Sequence, residues 1–173
     1  MCIGTGRIAG QSAIRELDNM ATPVIDTTEI TGLKEAAYAP LQDDVVADSD
    51  NLLQTLQTIM FDCDVSVWKH ANRREKAQAD IRSLGGELAS LNAPNTHELV
   101  RLKETEAMVL AADIILSASL MRTETRLSHF REEYEARNDA EWLSWIDVTE
   151  KNGSPSFSKT KIPTPLVDIG EVG

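Results

Sequence analysis

The chain has 173 residues, 42% of them hydrophobic, so it can bury one core, and its length favours one domain with appendages over two full domains. Seventeen Lys and Arg against 28 Asp and Glu give a net charge of -11. This acidity opposes the phosphate neutralisation on which nucleic-acid affinity depends, so the sequence argues against nucleic-acid binding.

The cysteines and the apolar runs indicate the compartment. Cys2 and Cys63 are too few for a disulfide framework, which favours a reducing compartment. The N-terminus lacks a basic region followed by an apolar one, so no secretory signal is predicted. The apolar run 107–120 is interrupted by Asp113 and two serines and is shorter than the roughly 20 residues that span a bilayer. We expect a cytoplasmic protein with no direct membrane contact.

The N-terminal part is predicted to be a helix and a linker. Apolar residues follow one face of a helix from Thr5 to Met20, and Pro23 is expected to end it. The segment 21–47 is rich in threonine and β-branched residues and contains two prolines. It is therefore interpreted as a linker with one short extended piece around Val24 to Ile25.

Three helices are predicted in residues 48–145, because apolar side chains recur there at three- and four-residue steps. Their expected ranges are 51–61, 68–91 and 96–124. The part from 107 to 121 is apolar on most faces, so it needs packing partners on more than one side.

Local signals refine these helices. Asn95 and Glu98 have the spacing of a capping box, which marks the start of the third helix. Gly85 and Gly86 each cost a helix about 1 kcal/mol relative to alanine, so they predict a kink or an early end of the second helix. Asp113 lies in an apolar stretch, where a structural ion pair is favoured over a functional carboxylate.

The C-terminal part is predicted to be a hairpin. Two alternating runs, 142–148 and 157–162, flank Asn152 and Gly153, and an Asn-Gly pair is typical of a type I′ turn. The predicted fold class is therefore mainly α: an up-down-up three-helix bundle over 48–145, with an N-terminal helix and linker before it. A short β-hairpin over 146–163 and a flexible tail over 164–173 follow it.

A charged segment separates the third helix from the hairpin. Residues 121–145 read MRTETRLSHFREEYEARNDAEWLSW and combine paired charges, a histidine and two tryptophans. They resemble the ESRGAHxREDxPxRDDxxWL signature in the C-terminal region of flavoprotein subunits of succinate dehydrogenase, fumarate reductase, L-aspartate oxidase and adenylylsulfate reductase. The matching residues are Glu124, Arg126, His129, Arg131, Glu132, Tyr134, Arg137, Asn138, Asp139, Glu141, Trp142 and Leu143.

Two positions depart from this signature. Leu127 stands where the family usually has glycine, and Glu135 where it usually has proline. Because only glycine takes a positive φ without steric cost, we do not expect the family's loop geometry at Leu127.

A second resemblance lies near the N-terminus. Residues 6–10 read GRIAG, as in the last helix of the same family's FAD domain, so 1–20 is interpreted as that helix. No G-x-G-x-x-G follows a predicted strand, so the turn that binds the FAD pyrophosphate is absent from these residues. The resemblance therefore implies the tail of a flavoenzyme, with no cofactor in this portion and FAD in the complete enzyme.

The charged residues admit a catalytic and an architectural interpretation. His129 and Arg131 could move a proton and polarise a dicarboxylate. The resemblance instead gives them an architectural role, held by charge-assisted bonds to Glu124, Glu132 or a partner domain. We predict no catalytic, cofactor-binding or metal-binding residues. The domain-interface candidates are Glu124, Arg126, His129, Arg131, Glu132 and Trp142.

The remaining histidines and cysteines lack metal-ligand spacing. The basic cluster Arg73, Arg74 and Lys76 is interpreted as a solvated helix face.

The function implied by the resemblance is that of a brace. The chain would support a flavin domain of the same polypeptide, offer a surface to a partner such as an iron-sulfur subunit, and be inactive alone. A homo-oligomer is expected for this portion by itself. The alternative is a free-standing acidic helical interaction protein with no enzymatic role.

Overall fold

The computed structural model describes residues 2–17, 19–22, 24–43 and 49–164. The chain divides into two units, Met1–Ala39 and Pro40–Gly173. Three predicted features lie outside the described residues: all but the first residue of the tail predicted at 164–173, the helix stop at Pro23, and the end of the predicted linker at 44–47.

The first unit contains two helices, α1 (Cys2–Leu17) and α2 (Thr27–Tyr38). α1 confirms the predicted N-terminal helix, displaced by three residues. α2 corrects the interpretation of this stretch as a linker without helix, and no strand is present at the described residues around Val24. Asp26 explains the difference, because its carboxylate accepts hydrogen bonds from the backbone N–H groups of Thr28 at 2.8 Å and Glu29 at 3.3 Å.

The second unit contains α3 (Ser49–Phe61), α4 (Cys63–Ser66), α5 (Ala71–Leu88) and α6 (Thr96–Met121). α3, α5 and α6 pack against one another and confirm the three predicted helices. Their apolar faces share one core, whose buried members are Leu52, Leu56, Val65, Ala77, Ile81, Leu84, Leu88, Leu102, Ala112 and Leu116.

The ends of these helices follow the local chemistry. The side chain of Asn95 accepts a hydrogen bond from the Glu98 N–H at 3.0 Å, as the capping box predicts. α5 runs through both glycines and ends at Leu88, three residues earlier than predicted. A Cβ built at Gly85 would lie 3.3 Å from a methyl group of Val109, so this glycine permits α5 and α6 to approach closely.

The C-terminal part contains α7 (Asp139–Trp142) and two antiparallel strands, β1 (Ser144–Lys151) and β2 (Ser154–Lys161). The register pairs Ser144 with Lys161 and Lys151 with Ser154. Asn152 and Gly153 form the two-residue turn with φ values of 52° and 78°. The predicted mainly α fold with a terminal hairpin is thus confirmed.

Candidate functional site

The charged segment closes the C-terminal end of α6. The guanidinium of Arg131, 2% exposed, donates from Nη1 to the carbonyl oxygens of Ser119 at 2.8 Å, Leu120 at 3.2 Å and Arg122 at 3.1 Å. The last carbonyls of a helix have no intrahelical partner, and they attract positive charge. Arg131 also donates from Nε to Glu133 at 3.3 Å. Arg131 therefore caps α6, and the carboxylate of Glu133 offsets part of its charge.

Glu124 is the acidic centre of the segment and is 0% exposed. Its carboxylate accepts hydrogen bonds from Arg122 at 2.7 Å, from Arg126 at 2.7 and 3.0 Å, and from the backbone N–H of Asn138 at 2.9 Å. Burial acts to raise the pKa of Glu124, but these bonds outweigh it and hold the pKa below its ordinary value. Glu124 is thus a satisfied ion, occupied by its own chain.

Trp142 ties the segment to the hairpin. Its side chain is 3% exposed, and its indole N–H donates to the hydroxyl of Thr123 at 2.9 Å. The guanidinium of Arg122 lies 5.1 Å from the ring centroid, and the ammonium of Lys159 lies 4.1 Å from it. Both cations are within the range of a cation–π interaction, so the ring fixes β2 against the end of α6.

A second set of contacts ties the segment to the start of α5. Glu132 forms a bidentate ion pair with Arg73 at 2.8 and 3.1 Å. Glu133 accepts a hydrogen bond from the backbone N–H of Ala71 at 2.5 Å. The Nζ of Lys69 donates to the carbonyl of Ser128 at 2.7 Å. The segment therefore links α5 to α6.

His129 lies between these contacts and is neutral at pH 7. Burial is the main cause that lowers its pKa to about 4, and the cations of Lys69, Arg74 and Arg131 lower it further. Its Nε2 lies 3.2 Å from the carbonyl of Arg122, which fixes the tautomer with the proton on Nε2. The imidazole therefore has a structural hydrogen bond on one side of its ring.

A left-handed turn presents His129. Arg126 and His129 exchange two backbone hydrogen bonds of 2.9 Å, leaving Leu127 and Ser128 as the turn. Leu127 has a φ of 52° and is 97% exposed. Leucine was expected to make a left-handed backbone less likely here, yet Leu127 has a positive φ, because the paired residues on either side impose the turn and the side chain points into open solvent.

The six interface candidates lie in one region, but their partners differ from those expected. Glu124, Arg131 and Trp142 are buried within this chain, whereas Arg126, His129 and Glu132 are partly buried. The carboxylate partner of Arg131 is Glu133, not Glu124 or Glu132, and the contacts of His129 are a carbonyl and a hydroxyl. Their role at a domain interface stays a prediction.

Two other charged residues had been interpreted from the sequence alone. Asp113 is paired as predicted, since it accepts hydrogen bonds from Gln78 at 2.9 Å and Arg82 at 3.1 Å. Arg74 is not part of a solvated face, because it is 2% exposed. The helical spacing could have indicated this burial, because positions 74, 77, 81, 84 and 88 lie on the buried face of α5.

The described residues lack both a metal-ligand cluster and a membrane-spanning helix. They contain no group of three or more His, Cys, Asp or Glu side chains that could hold a metal ion. Within the same part of the chain no helix is long and apolar enough to cross a membrane.

Comparisons with known proteins give the family. The model of the fumarate reductase flavoprotein C-terminal region matches residues 53–169. An uncharacterised FAD-dependent oxidoreductase of Methanocaldococcus jannaschii is 26% identical over 146 residues, which cover 84% of this chain and 26% of that protein. The chain therefore spans about a quarter of this curated relative's length.

Solved structures agree on the fold. Adenylylsulfate reductase of Archaeoglobus fulgidus is 27% identical with a TM-score of 0.77, over 92% of this chain and 28% of that one. The Sdh1 complex of Mycobacterium smegmatis has a TM-score of 0.82 at 17% identity, over 94% of this chain and 29% of that one. Quinol fumarate reductase of E. coli has a TM-score of 0.78 at 15% identity, over 96% and 30%. With the family match over more than half of its length, this chain belongs to the fumarate reductase flavoprotein C-terminal family.

Proposed function

We propose that this chain is the C-terminal helical portion of an FAD-dependent oxidoreductase of the fumarate reductase and succinate dehydrogenase type. It braces the flavin domain of the same polypeptide in the cytoplasm and contributes no catalytic group. The membership of the family and the FAD-dependent relative support the class of enzyme. FAD belongs to the complete enzyme in this proposal.

The observation that carries the bracing role is the apolar surface of α6. Four of its side chains are apolar and at least 40% exposed: Val100 at 55%, Met108 at 40%, Leu110 at 52% and Ile115 at 53%. Such side chains gathered on one helix typically mark an interaction surface. We assign this surface to the flavin domain, because the chain spans only 26% of its FAD-dependent relative, whose remaining length could supply a domain to cover it.

The charged segment supports an architectural role. A catalytic carboxylate or arginine must present a hydrogen-bonding atom to the substrate. Glu124 and Arg131 are instead buried, and their hydrogen bonds are made within this chain. The segment would keep α5, α6 and the hairpin rigid beneath the interface. A partner such as an iron-sulfur subunit would dock on the complete enzyme. The mycobacterial Sdh1 structure is that of a complex, which supports this view.

The test is the native product that carries this sequence. We expect an antibody raised against the chain to detect a polypeptide several times longer, which copurifies with flavin absorbance. In that product Met108→Asp should speed the proteolytic separation of the helical portion, whereas Glu87→Gln, at an exposed position of α5, should not. A colourless native product of this chain's own mass would favour an acidic interaction protein.

A further inference from the structure

A pocket beside the charged segment adjoins the apolar surface of α6, since Ile115 belongs to both. It lies between α5, α6 and the turn before His129, opens to the surface and has a volume of about 450 Å³. Its charged lining consists of Lys69, Arg74 and Arg122, and among the described residues no carboxylate lines it. Positive charge without matching negative charge creates a potential that attracts anions.

Arg74 forms the buried wall of this pocket. It is 2% exposed, and its Nε and Nη1 have no hydrogen-bond partner among the described residues. Burial and the nearby Arg131 lower its pKa to about 10, so it stays charged at pH 7. A buried cation whose N–H groups lack acceptors is costly, so an anion that pairs with this guanidinium would be stabilising.

Lys69 adds a second uncompensated charge. Its Nζ donates to the carbonyl of Ser128, and no carboxylate of the described residues pairs with it. Burial and the charge of Arg74 both lower its pKa, so the two cations repel each other across the pocket. Arg122 differs, because Glu124 neutralises it at 2.7 Å. The excess positive charge therefore comes from Lys69 and Arg74.

We propose that this pocket binds a small oxyanion, a carboxylate or a phosphate group, between Lys69 and Arg74. Such a group accepts several hydrogen bonds at once, and guanidinium and ammonium groups are its usual protein partners. Ile115, Ala118 and Ile146 line the rest of the pocket. They provide an apolar wall for the part of a small molecule that carries the oxyanion. All of these residues belong to this chain, so the isolated chain tests the proposal independently of the bracing role.

The test titrates the 173-residue chain with acetate and, separately, with inorganic phosphate, while chloride keeps the ionic strength constant. Binding to the folded state raises the thermal midpoint. It should also shift the imidazole NMR signals of His129, because a bound anion offsets the cations beside that ring. A tighter response to acetate identifies a carboxylate ligand, and a tighter response to phosphate a phosphate ligand.

Three variants make the result specific. Arg74→Met keeps an unbranched apolar stem but removes the guanidinium and its charge, and Lys69→Gln removes the second charge. Each should weaken the response at least tenfold, whereas Lys76→Gln, an exposed lysine outside the pocket, should leave it unchanged. If Arg74→Met does not fold, Lys69→Gln decides alone. No response to either anion, or equal responses in the parent and Lys69→Gln, would overturn the proposal.

Discussion

At the scale of single residues, Arg131 has the most contacts to lose. It joins three carbonyls at the end of α6 to Glu133 while being 2% exposed. We predict that Arg131→Ala lowers the free energy of unfolding by about 2 to 4 kcal/mol, since it leaves buried acceptors unpaired. Denaturant unfolding measures this. Arg137→Ala, whose ion pair with Asp139 is on the surface, should change it by less than about 1 kcal/mol, and equal losses in the two variants would contradict the capping role.

Leu127 allows a stabilising prediction. Its φ of 52° is unfavourable for a side chain with a Cβ, and its exposure of 97% means that little packing is lost on truncation. Leu127→Gly should therefore stabilise the fold by about 0.5 to 1 kcal/mol, after allowing for the extra freedom of glycine in the unfolded chain. Glu135→Gly, at an exposed position where φ is negative, should destabilise it instead. A lower thermal midpoint for Leu127→Gly would show that the turn is not strained.

His129 predicts how stability depends on pH. The imidazole takes up its proton near pH 6.5 in the unfolded chain but only near pH 4 in the folded one. Between these values the unfolded state binds more protons, so acidification from pH 7 to 5 should cost about 1 to 2 kcal/mol. His129→Gln should remove this slope, whereas exposed His97→Gln should retain it. An unchanged slope in His129→Gln would place its origin elsewhere.

Two carboxylates, Glu133 and Asp139, affect the stability of the fold at lower pH than His129 does. Burial raises the pKa of Glu133, but the Ala71 N–H and Arg131 outweigh it and hold the pKa at about 2, against 4.5 for the free group. Hydrogen bonds from Arg137 and Arg126 likewise hold the pKa of Asp139 at about 2. Both carboxylates therefore stabilise the folded state at pH values above their unfolded pKa. This stability is lost as the pH falls toward 2.

At the scale of elements, strong periodicity was sufficient for α3, α5, α6 and the hairpin. Each of these helices repeats apolar residues at the helical step, and Asn152-Gly153 fixes the turn. α2 was missed because its threonines and single glycine weigh against a helix, whereas Asp26 satisfies the first amides and offsets that cost.

The site was harder to predict than the elements. The sequence placed the charged segment correctly at the end of α6, but it could not assign partners. Glu132 and Glu133 are adjacent, yet one pairs with Arg73 and the other with Arg131. Such choices depend on where the loop returns to α5, which no local pattern encodes. The pocket at Arg74 was missed because three basic residues were treated as one face.

Replacing each of two glycines with alanine should change the stability of the fold in opposite directions. Gly153 has a φ of +78° in the hairpin turn, so Gly153→Ala should destabilise the protein by about 1 kcal/mol. Gly86 lies in α5 with nothing within 4 Å of an added Cβ, so Gly86→Ala should stabilise it by a similar amount, about 0.5 to 1 kcal/mol. Thermal unfolding of both variants checks the pair, and a shift in the same direction would contradict the backbone argument.

At the scale of the whole molecule, exposed apolar side chains predict self-association of the isolated chain. Met108 and Ile115 are exposed on α6, and Ile8, Leu17 and Leu33 are at least 65% exposed on α1 and α2. Side chains of this kind usually find a partner, and a second copy is the one available in a purified sample.

We therefore expect light scattering to give a dimer or larger species at micromolar concentrations. Met108→Asp should lower the associated fraction, because it places a charge on the apolar surface of α6, and Glu87→Gln, at an exposed position of α5, should leave it unchanged. If Met108→Asp has no effect, association occurs through α1 and α2 instead, and Leu33→Asp should then reduce it. A monomer mass across the whole concentration range would mean that these side chains are covered within one copy.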